Sequence, residues 1–537
     1  MLSDYFGGLI HKESGLIFTQ NTMSNAIDKD LIGNDSISPE LAAIQNFKGP
    51  YPKQLWSLFF SEMWERFCFY GMRGMLTFFM VNQLFMDDKS ANLQYGATQA
   101  WVYAFTFIGG LLADKILGFR KSLFWGGILM IAGSIILAID PKEFFFLGIA
   151  FNIVGTGFFK PNISSMVGQL YRAGDARRDA GFSLFYAGIN IGALLGGYFC
   201  IAIGKGTFLG SIVAESLRWN VAFGLAAIVM TISLVTFIYT RKQLGPIGLS
   251  PFEGSNNSNR KWIEFSVYIG GLICIPIIMK MVANTVYTDW FMYFIGPFSL
   301  LYLAYEMSKS TVSENKKLIA AMMFILFSVV FWAIFEQAGG SLSLFAAEHL
   351  NDTILGVIHL DPNGVNNAAN SFFVIAFAAI IGMIWIWMAK RRIEPNTVVK
   401  FGLGFLFLGI AYFIFFSGRF FADANGKSSL DVFTTAYFVV TLGELCLSPI
   451  GLSIMTKLAP ARLQGFMMGM WFLASAYGQY VAGLFGASIS PDENATPVEK
   501  LNLYTQGYYD FAWYAIIAGV VLIVISPLIR KLMQDVK

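Results

Sequence analysis

Apolar runs about twenty residues long recur along almost the whole chain, at 55–84, 94–113, 119–139, 144–168, 180–203, 218–240, 263–283, 287–306, 317–339, 366–389, 398–417, 430–457, 463–486 and 508–529. A helix rises about 1.5 Å per residue, so each run is long enough to cross the roughly 30 Å apolar core of a bilayer. The pattern predicts about fourteen transmembrane helices and leaves no stretch of the 537 residues for a large soluble domain. The seventh and eighth runs are interrupted by Pro276, Lys280 and Asp289 and follow the polar stretch GPIGLSPFEGSNNSNRK. They read as an inserted hairpin between two six-helix halves. The expected layout is therefore an N-terminal tail over 1–50, a first six-helix bundle over 51–243, a linker and hairpin over 244–312 and a second six-helix bundle over 313–537. Six plus two plus six helices suit a transporter whose two similar bundles meet at the bilayer midplane.

Composition agrees. Charged residues make up 13% and hydrophobic ones 56% of the chain, against about 25% charged in an ordinary soluble domain. A net charge of +3, with the basic residues in short loops, gives no footing for a nucleic-acid partner. The four cysteines, Cys68, Cys200, Cys274 and Cys446, lie inside apolar runs without C-x-x-C spacing, so neither a disulfide framework nor a metal site is expected. The first fifty residues are broken by Asp4, Lys12, Glu13, Asp28, Lys29 and Asp30 and do not resemble a cleaved signal peptide; they read as a loosely ordered tail. Loops on the N-terminal side hold eighteen Lys and Arg residues, among them Arg120, Lys121, Arg177 and Arg391, and the opposite loops hold eight. The positive-inside bias then places both termini in the cytoplasm of a multi-pass protein of the cell (inner) membrane.

Polar groups at membrane depth are few. On the first run Glu62, Glu65, Arg66 and Arg73 share one helical face with Phe69 and Tyr70. An ionisable residue there costs about 3 kcal/mol or more unless it lines an aqueous path or meets a partner. Lys160 on the fourth run, Glu336 on the ninth and Glu444 on the twelfth complete the set. The carboxylates Glu62, Glu65, Glu336 and Glu444 outnumber the cations Arg66, Arg73 and Lys160 by one, which suits a cluster that takes up and releases a proton as its pairings rearrange. Every deep cation belongs to the first half, and Glu336 and Glu444 belong to the second. A space between the halves would offer cations to one end of a ligand and a carboxylate to the other, as a small zwitterion requires. Tyr70, Tyr103 and the pair Tyr186 and Asn190, spaced i, i+4, are candidates to line it.

The loop GGLLADKILGFRKS resembles the cytoplasmic loop motif of the major facilitator superfamily, with Asp114 expected to cap a helix or to pair with a neighbouring arginine. EMWERFCFYG differs from the ExxERFxYYG signature of proton-dependent oligopeptide transporters only at Phe69. FYAGINIG, FFKPNIS and GELCLSP are similar to further segments of that family, in family order from Glu62 to about Trp471, and the hairpin is similar to that of its bacterial members.

The resemblance implies an all-α integral membrane protein of the major facilitator fold and symport of di- and tripeptides with protons by alternating access. It implies a coupling cluster of Glu62, Glu65 and Arg66 with Lys160 as partner. Arg66 and Lys160 would face the peptide carboxylate, and Glu444, Asn190 and Asn370 its amino end. Tyr70, Tyr103, Tyr186, Trp332, Ser448 and Trp471 would shape side-chain pockets. Arg73 and Glu336 would pair across a gate, with Glu336 also a proton site. It further implies a monomer that needs no cofactor beyond the proton gradient.

Departures are Phe69 and Ser343, where the family has a tyrosine and usually an asparagine, and the placement of His11, His349 and His359 outside the spans. A same-fold carrier of nitrate, amino acids or a peptide-like compound is the alternative. An enzyme is not expected, since no H-E-x-x-H motif, Walker A loop or buried histidine is read here.

Overall fold

The computed structural model describes residues 38–172, 174–175, 177–253, 259–447, 451–534 and 536, with backbone only at 451–453, 456 and 461. The helices are α1 (Pro39–Gln45), α2 (Lys53–Leu84), α3 (Asp88–Leu112), α4 (Phe119–Ile139), α5 (Phe145–Gln169), α6 (Arg177–Lys205), α7 (Arg218–Thr240), α8 (Arg260–Ala283), α9 (Thr285–Ser308), α10 (Val312–Phe335), α11 (Ser341–His349), α12 (Pro362–Lys390), α13 (Thr397–Ser417), α14 (Leu430–Leu447), α15 (Gly451–Leu458), α16 (Gln464–Ser488) and α17 (Pro497–Met533). A small antiparallel ladder, Thr353–Ile354 with Ile358–His359, precedes α12. Among the described residues ten helical segments are long and apolar enough to cross a membrane. The long helices α2, α5, α9 and α16 fall outside that set. α2 and α5 are the ones that carry Glu62, Glu65, Arg66, Arg73 and Lys160.

In the first half α2 packs on α6 and α7, and α5 on α3 and α4; in the second, α13 packs on α14 and α17, and α10 on α16 and α17. The halves meet along two seams, α3 against α16 and α6 against α12. Lipid offers no hydrophobic drive for helix association, so close approach relies on small residues. At the first seam a Cβ on Gly96 would stand 2.7 Å from the Cα of Gly483, and at the second side a Cβ on Gly74 would stand 2.8 Å from the side chain of Asn367. The hairpin α8–α9 runs beside α3, where Trp101 donates to Thr288 (3.1 Å) and Tyr480 of α16 donates to Asp289 (2.7 Å).

Three expectations are revised. Of the N-terminal segment read as a loosely ordered tail, residues 1–37 lie outside the described residues; over 38–50, Ser38 caps α1, Gln45 donates to the carbonyl of Gln169 at 3.0 Å, and Arg177 donates to the carbonyl of Phe47 at 3.1 Å. Arg177 also pairs with Asp175, and that hydrogen bond holds the Asp175 carboxyl below its ordinary value. Asp114 lies in a short π-helix, Ala113–Leu117, and among the described residues its ion pair is with the exposed Lys115, at 3.5 Å. Arg120 donates instead to the carbonyls of Ile247 (2.6 Å) and Gly245 (2.5 Å), so the loop motif grips the GPIGLS stretch after α7. There Gly118, at φ +77°, leaves no room for a side chain against the Leu249 backbone. Finally, His349 is buried, at 1% exposure, against Phe345 and Tyr504.

Candidate functional site

The charged stripe of α2 forms one compact cluster. Arg66 Nε lies 2.9 Å from Glu62 and 2.6 Å from Glu65, all three side chains being buried. Both contacts fall within ion-pair distance, yet Arg66 Nε has no aligned hydrogen-bond partner among the described residues. Glu62 Oε2, Glu65 Oε1 and Arg66 Nη2 have no protein hydrogen-bond partner among the described residues. Buried polar atoms left in this way cost roughly 1–3 kcal/mol each, so they call for water or a ligand.

Lys160, from α5, does not close that cluster. Among the described residues no carboxylate lies within 4.0 Å of its ammonium, which sits 5.3 Å from the ring centre of Phe69 and 4.6 Å from that of Tyr103. Glu62 and Glu65 remain within its electrostatic reach.

Two turns further along α2 from Arg66, Arg73 forms an ion pair with Glu336, where α10 gives way to a 3₁₀ turn at Glu336–Gly339. Arg73 also donates to Tyr95 at 2.8 Å, and Thr77 donates to the carbonyl of Gly339. Further bonds between the halves gather at this end of α2. Lys205 pairs with Asp361 at 2.8 Å, Thr207 donates to the same carboxylate at 3.3 Å, Tyr504 donates to Asp88 at 2.6 Å, and Asn92 donates to Ser490 at 3.2 Å. The two halves are thus closed against each other at the end remote from the start of α2.

On the second half, Asn370 of α12 donates to Glu444 of α14 at 2.8 Å and to Thr441 at 3.2 Å. On the first half Asn190 donates to the Tyr186 carbonyl at 3.0 Å, an internal bond of α6, and the Tyr186 ring is exposed. Trp332 is half-buried on α10 beside Gly478 of α16, and Trp471 is buried on α16. Ser448 lies outside the described residues. Tyr70, Tyr103 and Lys160 of the first half and Asn370 of the second are half-buried, so each keeps part of its surface free.

Residues not singled out from sequence are Tyr95, Thr77, Lys205, Asp361 and Asp88. Tyr95 carried a usable signal as a polar ring in the second apolar run. Lys205 and Asp361 sit at helix ends, where charge is ordinary and gives none.

A family model described as PTR2, POT family, matches residues 120–497, the stretch that holds Lys160, Glu336 and Glu444. The chain belongs to the POT family. It is 33% identical to the uncharacterized transporter YclF of Bacillus subtilis (strain 168), over 94% of this chain and 99% of that one. With the peptide transporter YePEPT of Yersinia enterocolitica it shares 32% identity, over 91% of this chain and 96% of its relative. A crystal structure of a peptide transporter POT mutant in complex with alafosfalin superimposes with a TM-score of 0.76 at 32% identity, covering 93% of this chain and all of that one. The chain is thus a multi-pass membrane transporter of the major facilitator fold, a bacterial-type POT member as its motifs implied.

Proposed function

We propose that this POT member is a proton-coupled symporter of di- and tripeptides that works by alternating access in the cell membrane, with both termini in the cytoplasm. The observation that carries this reading is the division of charge between the two halves, which we read as opposite walls of a central space. Arg66 and Lys160 stand on the first half, and Glu444, held by Asn370, stands on the second. Such a space fits a short zwitterion whose carboxylate meets the two cations and whose ammonium meets Glu444. Tyr70, Tyr103, Tyr186, Asn190, Trp332, Ser448 and Trp471 would surround the side chains.

With cytoplasmic termini, the end closed by Arg73 and Glu336 is the outer one. A proton on Glu336 removes the charge that holds Arg73 and so favours opening outward. A proton on the Glu62/Glu65 pair loosens Arg66 for the ligand carboxylate. Binding that draws Arg66 and Lys160 toward Glu444 pulls the halves together, and differential affinity for the two states supplies the coupling. Neither a cofactor nor a metal ion is needed for this cycle, no bond of the peptide is made or broken, and a single chain contains all the parts. Uptake of labelled di-alanine into liposomes under an imposed pH gradient tests it, with nitrate and free amino acids as competitors. Competition by nitrate in place of peptides would move the assignment to a small anion.

A further inference from the structure

Among the described residues no carboxylate lies within 4.0 Å of the Lys160 ammonium, and the side chain nearest to it on α2 that the structure records is Phe69. Its ring is buried, at 2% exposure, and is held edge-on by Tyr70 at 5.2 Å. The Lys160 ammonium lies 5.3 Å from its centre and the Arg66 guanidinium carbon 5.5 Å. Two cations of the same wall thus share one aromatic side chain, and Tyr103 takes a further part of Lys160 at 4.6 Å. A π face attracts an ammonium without accepting its N–H bonds in the way a carboxylate does. The motif that α2 resembles carries tyrosine at this position, whose hydroxyl adds an acceptor; phenylalanine has none.

Resting on the symport reading above, we infer that Phe69 is a positioning residue. Its ring keeps Lys160 out of the Glu62/Glu65 cluster and its ammonium donors free for the carboxylate of a peptide. Without the ring, the nearest strong attraction for Lys160 is the pair of carboxylates already within its electrostatic reach. The lysine then joins their cluster, and the ligand carboxylate is left with Arg66 alone.

The test uses the full chain in liposomes with Phe69→Leu, Phe69→Met and Phe69→Tyr. Loss of the ring is expected to raise KM for di-alanine about tenfold with the maximal rate within about twofold. Competition by di-alanine amide, which lacks the carboxylate, is expected to stay as in the wild type, so discrimination between acid and amide collapses. Phe69→Tyr, which keeps the ring, is expected to retain it.

A second readout does not need transport: acetic anhydride labelling of Lys160, read by mass spectrometry, is expected to fall severalfold in Phe69→Leu and Phe69→Met and not in Phe69→Tyr, as the lysine becomes ion-paired. Folded variants whose discrimination and labelling match the wild type overturn the inference. So does a lowered maximal rate at unchanged KM, the mark of a packing role, or a tyrosine variant that behaves like leucine. If the wild type ignores di-alanine altogether, the symport reading fails, and the labelling comparison still decides whether Phe69 holds Lys160 apart.

Discussion

Arg73 of α2 and Glu336 at the end of α10 form an ion pair that joins the two halves of the molecule, with Tyr95 as a second acceptor on Arg73. The carboxylate is buried, and the arginine side chain keeps 15% exposure. Breaking a buried pair strands the remaining charge, at a cost of about 3 kcal/mol. In a double-mutant cycle of Arg73→Gln and Glu336→Gln, read by thermal melting in detergent, the coupling should approach that size. Additive single effects would show that the pair does not hold the gate.

Glu62→Gln removes one of the two carboxylates within reach of the Arg66 Nε. Accumulation of di-alanine driven by a pH gradient should be lost in this variant, while exchange of labelled for unlabelled peptide across the membrane continues. Driven accumulation at the wild-type level would remove Glu62 from the coupling cluster.

Glu444 is positioned by the 2.8 Å bond from Asn370. Glu444→Ala should weaken binding of di-alanine at least about tenfold, the size of one lost charge-assisted contact. N-acetylated di-alanine, which has no ammonium, should be affected little. Asn370→Ala should act in the same sense and more weakly, because it leaves the carboxylate in place. Equal effects on both ligands would separate Glu444 from the amino end.

The seam between α3 and α16 leaves no room for a methyl group at Gly96, where the facing atoms are backbone. Gly96→Ala should therefore lower stability by about 1–3 kcal/mol. The loss would appear as a lower melting temperature together with slower uptake. A neutral substitution would mean that the halves sit further apart at this seam.

Much of this was legible in the chain itself, for definite reasons. The apolar runs gave the long helices because bilayer thickness fixes their length. Glu62, Glu65, Arg66 and Arg73 announced a polar path because charge is rare at such depth. Partnerships between helices were less legible. Nothing local to Arg73 points to Tyr95, and Asp361 looks like an ordinary helix cap, which it also is, accepting from Gly364 at 2.7 Å. Within the ninth run, period alone could not reveal that α10 stops at Phe335 and restarts as α11 after a 3₁₀ turn, which is what turns Glu336 toward Arg73. Lys160 was legible as a deep cation beside the Glu62/Glu65/Arg66 cluster, and the two rings over which its ammonium lies were not, because the aromatic faces around it depend on how the helices pack.

The central claim is that charge divided between the two halves moves a short zwitterion together with a proton. Uptake of labelled di-alanine into sealed liposomes, acid outside and neutral inside, tests it most directly. Accumulation above the external concentration that collapses on adding a protonophore is the expected result. Uptake that ignores the gradient, or none at all by folded protein, would contradict it.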